Sequence, residues 1–232
     1  TFETIAPYAL EEAYEVVEAI NNKDYENLRE ELGDLLLQVV FNSQIAKESN
    51  LFNFEEVIDS ICVKMIKRHP HVFGDADINT SDEQLSSWEA IKAEERSKKS
   101  NKDSNSSSAL DGVSVAYPAL LRAEKLQKRA ARVGFDWKAI EPVLDKLDEE
   151  ICELKEALNN DFDKGQLEEE LGDILFSCVN IARHLQLDAE TALHKANRKF
   201  TKRFQFIEKS LKEELNIKPE NAEFSDLENR WV

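Results

Sequence analysis

The sequence predicts an all-α protein made of two tandem helical bundles joined by a flexible linker. Three observations carry that reading. Leu, Glu, Lys and Ala dominate the 232 residues, which include only six glycines and five prolines. Apolar side chains recur at helical spacing, and no convincing run alternates as a strand would. A whole block is also written twice: "LREELGDLL" at 28–36 and "LEEELGDIL" at 167–175 agree at seven of nine positions. Self-similarity of that kind marks a duplicated supersecondary unit.

The elements align in order. In the first half, "LEEAYEVVEAINN" (10–22) spaces Ala13, Val16, Val17 and Ile20 along a helix. Its counterpart "DEEICELKEALNN" (148–160) does so with Ile151, Leu154 and Leu158, and both close on Asn-Asn, a helix stop. The repeated block forms the second helix. Leu28, Leu32, Leu35 and Leu36 answer Leu167, Leu171, Ile174 and Leu175, and these are expected to face the core. Third helices follow at 53–68 and 188–204. A fourth is expected over 81–99, opened by Ser81 or Asp82 as N-cap, with a shorter counterpart in "FSDLENRWV" at 224–232. Between the halves, "SKKSNKDSNSSSALDG" (97–112) is polar and Ser/Asn-rich, as a linker is. The domains are therefore expected at 1–96 and 113–232. The second half carries "YPALLRAEKLQKRAARVGFDW" (117–137) ahead of its first acidic helix, where the first has only "TFETIAPY". The first half thus reads as clipped at its N-terminus.

Composition excludes several function classes. A formal charge of −17 repels nucleic-acid backbones and anionic membranes, so neither is an expected partner. No apolar run approaches the ~18 residues that cross a bilayer, and the N-terminus shows no basic start followed by an apolar core. Cys62, Cys152 and Cys178 are far apart and odd in number, which suits a reducing cytoplasm and neither a zinc site nor a disulfide framework.

The acidity has a pattern. Residues three or four apart share a helix face. Glu12 projects with Glu15, with Glu11 alongside, and Glu31 projects with Asp34 from the next helix. The second half repeats this with Glu150 and Glu153, flanked by Glu149, and with Glu170 and Asp173. One such pair is ordinarily a solvated face. Pairs on consecutive helices, duplicated in both halves, predict converging carboxylates that need a cation. Oxygen-only ligands suit Mg²⁺, with Mn²⁺ as substitute. Gly33 and Gly172, each inside a helix, are expected to admit a close neighbouring backbone. Di-iron chemistry wants Glu-x-x-His; here Ile66, Arg68, Ile181 and Thr191 precede His69, His71, His184 and His194 by three. His69-Pro70-His71 reads as a helix stop.

Cations recur too. Lys64 and Arg68 on the third helix match Lys199 and Arg203, with Asn197 just before the second pair. Exposed basic pairs are commonly salt-bridged surface; opposite metal-binding carboxylates they form a clamp for phosphate oxygens. Such a site suits displacement at a polyphosphate, where positioning and charge neutralisation carry the chemistry. No GxxxxGK[ST] loop is present. Trp88 and Trp231 hold similar places in their repeats and offer faces for a base, although tryptophan is more often core filling.

The chain resembles the MazG family of the all-α NTP pyrophosphatase superfamily over nearly its whole length, in tandem form. E-E-x-x-E followed by E-x-x-D stands at Glu11, Glu12, Glu15, Glu31 and Asp34, and again at Glu149, Glu150, Glu153, Glu170 and Asp173. "APYALEEAYEV", "KRHPHVFGD", "WEAIKAEER", "RAARVGFDW" and "KANRKF" are similar to the family as well. The resemblance implies Mg²⁺-dependent hydrolysis of NTPs and dNTPs to monophosphate and pyrophosphate, broad base tolerance and a homodimer. It implies Glu149, Glu150 and Glu153 as catalytic residues and Glu150, Glu153, Glu170 and Asp173 as metal ligands. It also implies that Lys199 and Arg203 hold phosphates, that Trp231 contacts nucleotide, and that Lys146, Gln166, Glu169 and Asn197 line the site. The C-terminal domain is the expected seat of turnover; Glu12, Glu15, Glu31, Asp34, Lys64, Arg68 and Trp88 form a counterpart of weak activity. Two rivals are a non-catalytic helical regulator that binds nucleotide or a partner, and a narrower dUTP or dCTP pyrophosphatase.

Overall fold

In the computed structural model, residues 1–74, 80, 83, 84, 88, 91, 108–159 and 163–231 are described. Among them every regular element is helical. The chain divides into two compact units, Thr1–Lys102 and Asp103–Val232.

In the first unit, α1 (Phe2–Asn22) and α2 (Tyr25–Glu48) pack as a hairpin. The connection is short because Lys23 adopts the left-handed region at φ 58° and Asp24 caps α2, its Oδ1 accepting from the Asn27 amide at 3.1 Å. α1 begins eight residues before the expected helix. It runs through Pro7, whose missing N–H removes a single i→i−4 bond near the helix start. α3 (Phe54–Arg68) opens with a capping box between Asn53 and Glu56 and packs on α2. Pro70 then starts α4 (Pro70–Phe73), so the proline does stop the preceding helix. The helix expected over 81–99 falls almost wholly outside the described residues, as does the linker up to residue 107.

The second unit opens on a helix that periodicity did not reveal, α5 (Ala119–Arg132). Its sequence is so charged that a narrow apolar stripe was hidden. Gly134, at φ 90°, ends it, and the Phe135 amide turns back to the Ala130 carbonyl at 3.1 Å. The acidic helices are α6 (Glu141–Asn159) and α7 (Lys164–His184), and α7 is capped by Asp163. α8 (Ala189–Glu214) extends ten residues past the expected end, and α9 (Phe224–Asn229) follows one 3₁₀ turn. α7 is the hub on which α5, α6 and α8 pack. The core comprises Val143, Ala157, Val179, Ile207 and Leu211.

Two expectations are corrected. Leu28, Leu35, Leu167 and Ile174 are half-buried, but Leu32, Leu36, Leu171 and Leu175 are at least 50% exposed. The repeated helix is apolar over two faces, and among the described residues of each unit only one is covered. Gly33 and Gly172 do not mark a close approach, for a Cβ at either meets no atom within 4 Å. Both glycines lie beside the exposed leucines.

Candidate active site

The helix pair α6–α7 builds the site from the residues that periodicity selected. Carboxylate oxygens of Glu150, Glu170 and Asp173 all lie within 4.8 Å of one another. Glu150 is buried, Glu170 half-buried and Asp173 exposed, so the group has one anchored and one open side. The first unit repeats the arrangement with Glu12, Glu31 and Asp34, again within 4.8 Å. Three hard oxygens at that spacing fit a divalent cation of the Mg²⁺ type, and nothing sulfur- or imidazole-based competes in either group.

Glu153 and Glu15 stand outside these triads but against them. The Glu153 carboxyl is pushed up, first by its hydrogen bond with Glu150, then by burial and the Glu150 charge. Glu15 is likewise pushed up, by burial and then by the Glu31 charge and its hydrogen bond. Like-charge crowding therefore exists in both units, as duplicated carboxylates require.

The units differ in their counter-cation. Lys146 Nζ contacts Glu149 and Glu150, each at 2.8 Å, and the pairing raises the Lys146 ammonium above its ordinary value. Four residues before Glu12, the matching position is Tyr8. There, Gln38 Nε2 donates to Glu12 Oε1 at 3.5 Å.

The remaining predicted residues fall on two surfaces. Gln166 and Glu169 are exposed near the start of α7. Asn197, Lys199 and Arg203 lie on α8, and the Arg203 guanidinium sits 5.5 Å from the Trp231 ring centroid. Trp231 also meets Phe200 at 5.3 Å. Arg230 sets this up by bonding Glu214 at 2.9 Å, Ser210 at 3.1 Å and the Asp226 carbonyl at 3.0 Å, which ties α9 to α8. Lys64 and Arg68 lie on α3, and Trp88 is half-buried.

A cavity of about 750 Å³ opens beside the second triad, lined by Lys146, Glu150 and Asp173. Its other walls include Gln127 from α5, Phe135, Asp136 and Trp137 from the turn after Gly134, and Phe176, Asn180 and Arg183 from α7. Periodicity singles out none of these residues, although Phe135, Asp136 and Trp137 fall within the family-like stretch "RAARVGFDW". Asp136 is the bracket: its carboxylate bonds Arg183 Nη1 at 2.8 Å and His184 Nε2 at 3.1 Å, and Arg183 holds its carboxyl below the usual range. Neither Arg203 nor Trp231 lines the cavity.

Comparison with known proteins points to one family. The MazG nucleotide pyrophosphohydrolase domain matches residues 1–73 and 139–206, covering both helix pairs. The nucleoside triphosphate pyrophosphohydrolase of Escherichia coli K12 is 52% identical over 210 residues, 90% of this chain and 78% of that protein. The nucleoside triphosphate pyrophosphohydrolase/pyrophosphatase MazG of Thermotoga maritima is 44% identical over 231 residues, 100% of this chain and 85% of that one. In the nucleoside triphosphate pyrophosphohydrolase of Mycobacterium tuberculosis, 136 residues match at 38% identity, covering 58% of this chain and 39% of that protein. With two matched domains and relatives aligned over most of their lengths, the chain belongs to the MazG nucleotide pyrophosphohydrolase family.

Proposed function

We propose that this chain hydrolyses nucleoside triphosphates, ribo- and deoxyribo-, to the monophosphate and pyrophosphate, with Mg²⁺ as cofactor, Mn²⁺ as substitute and broad base tolerance. The observation that carries this is the oxygen-only triad Glu150, Glu170 and Asp173 opening into a nucleotide-sized cavity. Glu150, Glu170 and Asp173 would hold a divalent cation at the cavity mouth, where it would supply charge neutralisation for phosphate oxygens and polarisation of the anhydride. Glu153, whose carboxyl is pushed up beside Glu150, would in its ionised form accept a proton from an attacking water, with Glu149 alongside. Lys146 balances the buried Glu150 and is positioned to meet a phosphate oxygen. Lys199 and Arg203 form the clamp on the far phosphates, with Gln166, Glu169 and Asn197 at its margin.

Turnover belongs to the second unit, because a cavity opens beside its triad and Lys146 balances Glu150 there, where the first unit has Tyr8 at the matching position. The functional boundaries are those of 1–96 and 113–232. The form is a homodimer in a reducing cytoplasm, with the half-exposed leucine faces of α2 and α7 covered by a second copy.

The test is product analysis with ATP and dTTP in Mg²⁺. Monophosphate plus pyrophosphate is expected; diphosphate plus orthophosphate refutes the reading. Glu150→Gln with Glu170→Gln is expected to lose at least about a hundredfold in kcat/KM, the upper end of what losing an outer-shell metal partner costs. Glu12→Gln with Glu31→Gln is expected to keep most turnover.

A further inference from the structure

Arg230 pins the short helix α9 to α8. Its side chain is only 18% exposed; Nη2 donates to Glu214 Oε2 at 2.9 Å and Nε donates to Ser210 Oγ at 3.1 Å. Ser210 Oγ donates in turn to Glu214 Oε1 at 3.0 Å, which closes a ring of hydrogen bonds. Arg230 holds the Glu214 carboxyl below its usual range, as bonds made to the ionised form do. Nη1 turns back to the Asp226 carbonyl at 3.0 Å, so one guanidinium bonds α9 and α8 together. This use needs the planar fork of arginine, which an ammonium does not present.

Arg203, Ile207, Ser210 and Glu214 follow one another at three or four residues along α8 and share a face. The Arg230 ring of bonds occupies one end of that face. At the other end, the Arg203 guanidinium sits 5.5 Å from the Trp231 ring centroid, and Phe200 packs on the same ring at 5.3 Å. Arg230 and Trp231 are consecutive, and the Trp231 amide donates to the Glu228 carbonyl at 3.0 Å. Fixing Arg230 therefore fixes where the indole falls. Among the described residues Arg203 forms no ion pair, so its charge is open to an anion while the ring sets its position. A long side chain that is already ordered loses less freedom when it meets a phosphate oxygen.

We propose, resting on the reading of Arg203 as a phosphate-holding residue of a pyrophosphohydrolase, that Arg230 is a positioning residue: it lays Trp231 over Arg203 and so orders that guanidinium for the substrate's phosphates.

The test is a mutant cycle on the full chain in Mg²⁺. It reads KM and kcat for pyrophosphate release from ATP, and binding of α,β-methylene-ATP by calorimetry. Arg230→Met is expected to raise KM and the analogue's Kd about fivefold, within the cost of ordering one rotamer-rich side chain, and to leave kcat within about twofold. Trp231→Leu is expected to do the same. In an Arg203→Ala background, Arg230→Met is expected to change neither constant further, because the group it positions is gone. A residue that only anchored α9 would lower the melting temperature and leave KM alone; that result overturns the proposal, and so does a KM rise of equal size with and without Arg203. If Arg230→Met does not fold, Glu214→Ala decides, since that side chain is 61% exposed and its loss opens the ring of bonds. About a threefold KM rise that vanishes without Arg203 is then expected, and no rise overturns the proposal. Analogue binding that follows the cycle, with no pyrophosphate released from ATP, would refute the hydrolytic reading and leave the positioning role standing; release without the coupling does the reverse.

Discussion

Asp136 shows how one side chain can organise a wall. It bonds Arg183 and His184 together, and Arg183 in turn aligns Asn180. Its carboxyl is held below the ordinary value of 3.8, chiefly by the Arg183 hydrogen bond, so its ionised form is favoured by folding. The stabilisation is complete above that ordinary value and is lost as pH falls through the lower folded value. Asp136→Asn is therefore expected to lower the melting temperature at pH 7, with the difference from wild type shrinking below about pH 4. A difference that is the same at pH 3 and pH 7 would contradict the pairing. Glu170 makes the opposite case. Its carboxylate crowds Glu150 and Asp173, so Glu170→Gln is expected to raise thermal stability without metal. The same change is expected to abolish the gain from Mg²⁺, which for the wild type is about 2.7 kcal/mol at a hundredfold excess over Kd. Calorimetric melts with chelator and with Mg²⁺ read both effects.

The duplicated helix carries glycine where a helix former would be more stable. In α2 and α7 alike a Cβ would meet no atom within 4 Å. Gly33→Ala is therefore expected to stabilise the protein by about 1 kcal/mol, the difference in helix propensity, measured by denaturant titration. A loss instead would mean that the second copy proposed to cover this face packs directly against the glycine. α5 teaches a different lesson: a helix of low mean hydropathy holds its place because a few contacts onto α7 and α8, with Gln127 bonded to the Phe176 carbonyl, suffice.

Among the described residues, few large side chains are fully buried, while α2 and α7 leave Leu32, Leu36, Leu37, Leu171, Leu175 and Phe176 between 43% and 56% exposed. Apolar surface on that scale fits association. Light scattering is expected to give twice the 26.6 kDa of one chain. Leu171→Glu with Leu175→Glu is expected to shift the protein toward the monomer mass, while retained dimer mass would move the interface elsewhere.

The sequence alone was enough for the helical class and the duplication, because each of these is a local periodicity or a repeated string. Glu150, Glu170 and Asp173 converge as their spacing on two packed helices required. Folding decided the rest. Which leucines are covered depends on how many helices a unit supplies to α2 or α7, and the sequence pattern does not count partners. The cavity depends on Gly134 turning Phe135, Asp136 and Trp137 back over α7, and on α5 bringing Gln127 to a carbonyl 49 residues away. Contacts at such separation leave no period along the chain, so only the packed structure shows them.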